Sequence, residues 1–181
     1  MSKIVDTYLE TQDFHETVRR CKISPLIAHL TLAKAGVLKI HDKINYGTKA
    51  QALGGRAEEY FQKLVPEAID ANRFWKTNNP VYDFMFKGLK IDVKYSSLRP
   101  HTNTPCWCAR VSGEQDITVI FLERDKGTEL KDPYILLIPS GFVSVKNTMH
   151  ISKSGRWLSE FQVEADELNS ILNDYAGVLE A

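Results

Sequence analysis

The chain has little cysteine, no excess of charge of either sign and no long apolar run. Its three cysteines, Cys21, Cys106 and Cys108, are an odd number without a disulfide pattern, which suits a reducing compartment. Cys106-Trp107-Cys108 lacks the second cysteine or histidine pair that a zinc site needs, so it does not read as one. Lys and Arg together equal Asp and Glu at 23 each, a formal net charge of zero. That is not the footprint of a strongly basic nucleic-acid binder, and a polyanionic partner would have to be met by unevenly distributed charge. No segment is long and apolar enough to span a bilayer and no leader pattern is visible, so the expectation is a cytoplasmic protein that does not enter a membrane. Internal repeats and low-complexity tracts are also missing.

What remains is ordinary globular material. The 181 residues, 43% of them hydrophobic, suffice for one packed domain with a small appendage. Residues 2 to 46 read as the appendage, a helical unit. Ile4, Val5, Tyr8 and Leu9 mark the apolar side of a first helix, Lys3 to Glu10. Thr11 or Asp13 can cap a second, with Phe14, Val18 and Cys21 inward. Ser24-Pro25 opens a third, with Leu26, Ile27, Leu30 and Ala33 as its apolar face and Gly36 as its C-terminal cap. Lys39 to Gly55 is polar and punctuated by glycine, and reads as the boundary: a solvated linker or an ordered loop. The boundary divides a module 1–46 from a domain 47–181.

In the second part, Ala50 to Ala71 has helical periodicity, with Leu53, Ala57, Tyr60, Phe61, Leu64 and Ala68 as the packing stripe. Trp75 reads as a packing residue. The stretch Asn79 to Ser97, NPVYDFMFKGLKIDVKYSS, reads as two short strands joined at Lys87-Gly88, since glycine accepts the positive φ of hairpin turns. Side chains two apart on a strand share a face, so Asp92 and Lys94 are neighbours while Ile91, Val93 and Tyr95 point away. Closing the hairpin carries Asp83 towards Asp92. Two close carboxylates cannot both ionise unless a cation sits with them. A hard divalent ion such as Mg²⁺, with Mn²⁺ as a substitute, takes one or two carboxylates and completes its shell with water and phosphate oxygens. A lysine beside it can hold a phosphate oxygen, position water or stabilise developing charge. Those parts suit hydrolysis of a phosphodiester.

Beyond the hairpin, Ser97 to Pro105 reads as a loop near the site, where Arg99, His101 and Asn103 can reach a DNA backbone. Cys106 to Val111, Asp116 to Glu123 and Tyr134 to Pro139 read as strands, the last two buried. Phe142 to Val145 is a short strand or turn. His150 to Arg156 is basic and serine-rich, and Ser152, Lys153, Ser154 and Arg156 can grip a phosphate. A final helix, Ala165 to Leu179, has Leu168, Ile171, Leu172, Tyr175 and Val178 as its packing face.

Gly55-Arg56-Ala57-Glu58-Glu59, then Asp83, then Ile91-Asp92-Val93-Lys94-Tyr95-Ser96 resembles the PD-(D/E)xK nuclease superfamily, which includes restriction endonucleases and junction resolvases. The order helix acid, strand acid, D-x-K matches over roughly Gly54 to Pro139. The proline of the motif is displaced, since Pro80 lies three residues before Asp83. The resemblance implies a restriction-endonuclease-like α/β core, a central mixed sheet of four or five strands flanked by helices. It also implies that Asp83, Asp92 and the Val93 carbonyl bind the metal, that Lys94 assists catalysis, and that Glu59, rather than Glu58, supplies the helix acid. The three N-terminal helices resemble a helix-turn-helix module. In that reading Ser24, His29 and Lys34 lie on the recognition helix and Lys43 contacts phosphate, while the alternative is a helical cap or dimerisation arm. The expectation is thus a prokaryotic or phage-encoded, Mg²⁺-dependent endonuclease acting on double-stranded DNA, restriction-type and homodimeric. A junction-resolvase-like enzyme and a non-catalytic DNA-binding protein are the alternatives.

Overall fold

A computed structural model describes residues 2–71, 82–99, 104–111, 114–143 and 147–179. Pro80, Trp75, His101, Asn103 and Val145 lie outside them. The described residues up to Arg56 form one compact unit and those from Ala57 onward another. Among the described residues, no helix is long and apolar enough to cross a membrane.

The first unit begins with α1 (Lys3–Thr11), α2 (Phe14–Cys21) and α3 (Pro25–Ala35). Each starts where a side chain can satisfy the otherwise unpaired N-terminal amides. Ser2, Asp13 and Ser24 accept from the amides of Ile4, Glu16 and Ile27. Gly36 ends α3 in the left-handed region at φ 67°. The core holds Val5, Tyr8, Phe14, Ala28, Leu32 and Leu38. It is therefore Ala28 and Leu32 of α3 that face inward. Leu26, Ile27 and Leu30 are exposed, contrary to the expected apolar face.

The supposed linker is a fourth helix, α4 (Ile40–Tyr46), followed directly by α5 (Lys49–Leu64). Polar and aromatic pairings bring α4 into the unit. The Tyr8 hydroxyl donates to the buried Asp42 carboxylate, and Tyr46 stacks on Phe14 with centroids 4.6 Å apart. Burial and this hydrogen bond raise the Tyr8 pKa. Gly55 is a close-approach residue within α5, not punctuation: a Cβ there would lie 3.1 Å from the Ile40 carbonyl oxygen and from Ile44.

The helix expected to run to Ala71 stops at Leu64. Pro66 has no amide to donate and restricts the residue before it. Ile69–Asp70 instead forms β1, paired antiparallel with β2 (Phe84–Phe86). The turn at Lys87-Gly88 has φ 46° and 86°, and leads into β3 (Leu89–Ser96). The sheet continues through β5 (Ile117–Leu122), β6 (Tyr134–Pro139) and β8 (Gln162–Val163) in the order β1-β2-β3-β5-β6-β8. Among the described residues only β3 and β5 run parallel, so the sheet is mixed as expected, and these residues give it six strands rather than four or five. All of β5 is buried, as a continuous apolar run covered on both faces should be. Tyr60 and Phe61 of α5 pack on Phe121 and Phe84. The alternate residues Ile120, Leu122, Leu136 and Ile138 join a core with Trp107, Ala109, Met149 and Ile151.

That second core belongs to a separate two-stranded sheet, β4 (Cys106–Val111) with β7 (Asn147–Ser152). Cys106 to Val111 is thus a strand as expected, but not of the central sheet. The serine-rich run expected from His150 begins within β7, and α6 (Arg156–Phe161) follows it. The last helix, α7, spans Leu168–Leu179 and buries Leu168, Leu172 and Ala176, while Val178 is exposed.

Buried Glu123, just after β5, organises the neighbouring loops. Its carboxylate accepts from the amides of Gly127 (2.7 Å), Glu129 (3.2 Å) and Leu98 (2.8 Å). Glu123→Ala therefore leaves three amides without their partner and should cost about 3 kcal/mol in urea unfolding, since hydrogen bonds to charged groups contribute roughly 1.5–3 kcal/mol each and are not additive. A loss under about 0.5 kcal/mol, the level of a neutral surface change, would show that water replaces the carboxylate.

Candidate active site

The β2–β3 hairpin does what its sequence suggests. Phe84 pairs with Ile91, and the Asp83 amide donates to the Ile91 carbonyl at 2.9 Å. The ladder thereby sets Asp83 beside Asp92. Asp83 Oδ2 accepts from the Val93 amide at 2.8 Å, which fixes its carboxylate against β3. Ala71 donates to the Asp83 carbonyl at 2.9 Å, so β1 braces the same residue from the other side.

Asp92 is 4% exposed. Its Oδ1 accepts from the half-buried Lys94 ammonium. Its Oδ2 is buried and has no hydrogen-bond partner among the described residues. Burial, opposed by Lys94 and reinforced by the Asp83 charge, pushes the Asp92 carboxyl up to about 7. Burial also works against the Lys94 charge, but Asp92, Asp83 and the more remote Glu58 outweigh it and raise the ammonium pKa. With Asp92 ionised, that buried oxygen has no donor and faces a second carboxylate, a costly arrangement unless a proton or a cation lies between them. A small divalent ion that keeps water and phosphate oxygens in its shell fits this donor set.

Of the two adjacent glutamates on α5, the structure buries Glu58 and leaves Glu59, the expected helix acid, at the surface. Glu59 is half exposed and its Oε2 lies 3.5 Å from Lys63 Nζ. Glu58 is 5% exposed and is the glutamate whose charge reaches Lys94. One position along a helix turns a side chain by about 100°, enough to exchange solvent for interior. Among the described residues, no three His, Cys, Asp or Glu side chains are gathered to hold a metal. The carboxylates brought together are Asp83 and Asp92. Val93 is 5% exposed and contributes its amide to Asp83.

The other sequence-derived positions lie on other elements, four of them in the first unit. Ser24 is occupied as the cap of α3. His29 Nε2 is buried without a hydrogen-bond partner. Lys34 is exposed on α3, and Lys43 is half-buried in α4. Arg99 is exposed and forms a backbone bridge with Cys106. Lys153 is exposed in the turn after β7, and Arg156 pairs with Glu160 at 2.8 Å. Two neighbours escaped sequence reasoning. Thr118, fully buried, is the register partner of Asp92 on β5 and accepts from Gln115 Nε2 at 2.7 Å. Ser96 binds both backbone groups of Cys108 through its hydroxyl. The i+2 period from Asp92 and Lys94 was the available signal for Ser96, whereas nothing local pointed to Thr118.

No protein-family model matches the chain, and no curated protein matches it in sequence.

Proposed function

We propose that this protein is a metal-dependent nuclease that hydrolyses phosphodiester bonds in double-stranded DNA, with a restriction-endonuclease-like core. The observation that carries the reading is the unpartnered Oδ2 of buried Asp92, set beside Asp83 and Lys94. Asp83 and Asp92 would hold a Mg²⁺ or Mn²⁺ ion, with the Val93 carbonyl as a further donor. When bound, such an ion offsets charge on the scissile phosphate and makes water a better nucleophile. The Val93 amide keeps Asp83 oriented without needing its second oxygen. The raised pKa of Lys94 keeps the ammonium protonated at neutral pH. It can therefore donate to a phosphate oxygen as negative charge builds. Buried Glu58, rather than Glu59, supplies the third negative charge near that ammonium. The N-terminal unit would bind DNA through the exposed face of α3, with Lys34 on phosphate.

The deciding experiment incubates the purified chain with a long mixed-sequence duplex in Mg²⁺, beside an EDTA control and Asp92→Ala. Discrete fragments that need both metal and Asp92 are the expected result and indicate sequence-specific, restriction-type cutting. Cleavage confined to branched DNA would make the enzyme resolvase-like. Retention of duplex and branched DNA without any product would leave a DNA-binding protein and overturn the enzymatic reading.

A further inference from the structure

The small sheet has one buried face and one open face. Trp107, Ala109 and Val111 of β4 and Met149 and Ile151 of β7 belong to the core. Strand alternation sends the residues between them the other way. Arg110 and Thr148, Cys108 and His150, and Cys106 and Ser152 are the register pairs of that open face. The 3.4 Å contact between Cys108 Sγ and His150 Nδ1 agrees with the placement. Arg99 extends the face by one row. It exchanges both backbone hydrogen bonds with Cys106, at 2.9 and 3.4 Å, and residues opposed in this way carry their side chains to the same side. Arg99, Cys106 and Ser152 thus lie abreast, and Lys153 follows at that end in the turn after β7.

The charge on this face is of one sign. Arg99, Arg110 and Lys153 are exposed, and among the described residues none of them forms an ion pair. Arg156 differs, since Glu160 holds it at 2.8 Å. No aspartate or glutamate occurs in residues 97–113 or 133–159, the two stretches that supply the sheet and its flanks. In a chain with as many acids as bases, such segregation is the uneven distribution that a polyanionic partner requires. The spacing suits a phosphate chain. Four residues of extended strand carry Cys106 to Arg110, roughly 13 Å at about 3.3 Å per residue. A DNA strand places a phosphate about every 3.4 Å along the axis, so the charged groups bracket about four of them.

The sheet is also tied to the strand that carries the aspartate and the lysine. Ser96 lies two residues beyond Lys94 on β3. Its hydroxyl donates to the Cys108 carbonyl at 2.9 Å and accepts from the Cys108 amide at 3.0 Å. A polyanion held on the open face therefore lies close to Asp92 and Lys94. We infer that the open face of the β4–β7 sheet is a phosphate track for duplex DNA, which it holds by charge and not by base sequence. Arg99, Arg110 and Lys153 contact phosphate oxygens, and the exposed Thr148 and His150 stand between them. The inference rests on the reading of DNA as the substrate, and it adds a surface separate from α3 and from the aspartate pair.

The test is fluorescence anisotropy of a labelled duplex of about 30 base pairs, titrated with the full chain in EDTA between about 50 and 200 mM salt. EDTA prevents cutting, so binding is read apart from catalysis. Wild-type affinity should fall as salt rises. The triple variant Arg99→Ala, Arg110→Ala, Lys153→Ala should bind at least about 10-fold more weakly at the middle of that range, on every duplex sequence alike. Its slope of log affinity against log salt should be smaller by about 2 to 3, near one per lost phosphate contact. Arg99→Lys with Arg110→Lys keeps the charge and should bind within about 3-fold of the wild type. Should the triple variant lose its far-ultraviolet circular dichroism, the three single alanine variants replace it, each lowering the slope by about one. Binding that depends on these residues without any cleavage in Mg²⁺ would keep the track and remove the nuclease reading. A folded triple variant that binds as the wild type does would overturn the inference even where cleavage requires Asp92. A wild type that holds anionic vesicles but no duplex would overturn it as well.

Discussion

On the proposed reading, Asp83→Ala and Lys94→Ala should each lower the single-turnover rate of DNA cleavage by about 10³-fold, roughly 4 kcal/mol of transition-state stabilisation, the scale of losing one preorganised charge or donor at a developing oxyanion. The two variants fail for different reasons, and metal titration separates them. Asp83→Ala removes the carboxylate that the Val93 amide orients, so the concentration of Mg²⁺ or Mn²⁺ needed should rise and saturation should be lost. Lys94→Ala leaves both carboxylates in place and removes the cation that competes for Asp92 Oδ1. Its affinity for the ion should be retained or improved while the chemical step stays slow. Glu59→Ala should cut like the wild type, because its side chain pairs with Lys63 at the surface. Glu58→Ala should be impaired. If Glu59→Ala loses activity and Glu58→Ala keeps it, the assignment of the helix acid is wrong.

The second large effect is on stability. The Asp92 carboxyl moves from 3.8 to about 7 on folding, burial being the main cause. A carboxyl whose pKa is raised in the folded state favours folding while it is protonated in both states. That advantage is complete below pH 3.8, is lost as the pH rises through about 7, and does not return above it. Three pKa units correspond to about 4 kcal/mol at most. Lys94 adds no slope in this window, since its own pKa is shifted upward, away from it. The metal-free wild type should therefore lose stability relative to Asp92→Asn between about pH 4 and 7, as read from urea midpoints at matched ionic strength. Adding Mg²⁺ at pH 8 should return much of the difference to the wild type and nothing to the variant, because a ligand that binds only the folded state stabilises it. A pH-independent difference between the two proteins would mean that Asp92 is ionised at ordinary cost, and the case for an occupied cation site would fall with it.

Much of the site was legible because its interactions are local. Asp83, the Lys87-Gly88 turn, Asp92 and Lys94 lie within a dozen residues, and strand alternation with a tight turn dictates how they meet. The caps of α2 and α3 were readable for the same reason, whereas the Ser2 cap of α1 was not picked out. Which glutamate of α5 is buried was not legible, because Glu58 and Glu59 differ only in which way α5 is rotated against the sheet. That rotation is set by Phe61 on Phe84 and Tyr60 on Phe121, contacts distant in sequence. α4 was missed because hydrophobic period could not reveal it. Its inward groups include a carboxylate, Asp42, that is tolerable inside only because the Tyr8 hydroxyl, 34 residues away, donates to it. β7 went unseen because NTMHIS has too few β-branched and apolar residues to stand out before it is paired.

The sequence by itself determined the hairpin, its two aspartates and lysine, the caps of α2 and α3 and the buried character of β5 and β6. Each depends on φ preference, capping or alternation over a few residues. Only the tertiary structure decided that β3 runs parallel to β5, that β4 leaves the central sheet to pair with β7, and that Glu58 faces the interior. It also decided that one oxygen of Asp92 is buried with no donor among the described residues. These follow from which surfaces pack together, and packing joins residues whose separation along the chain carries no local signal.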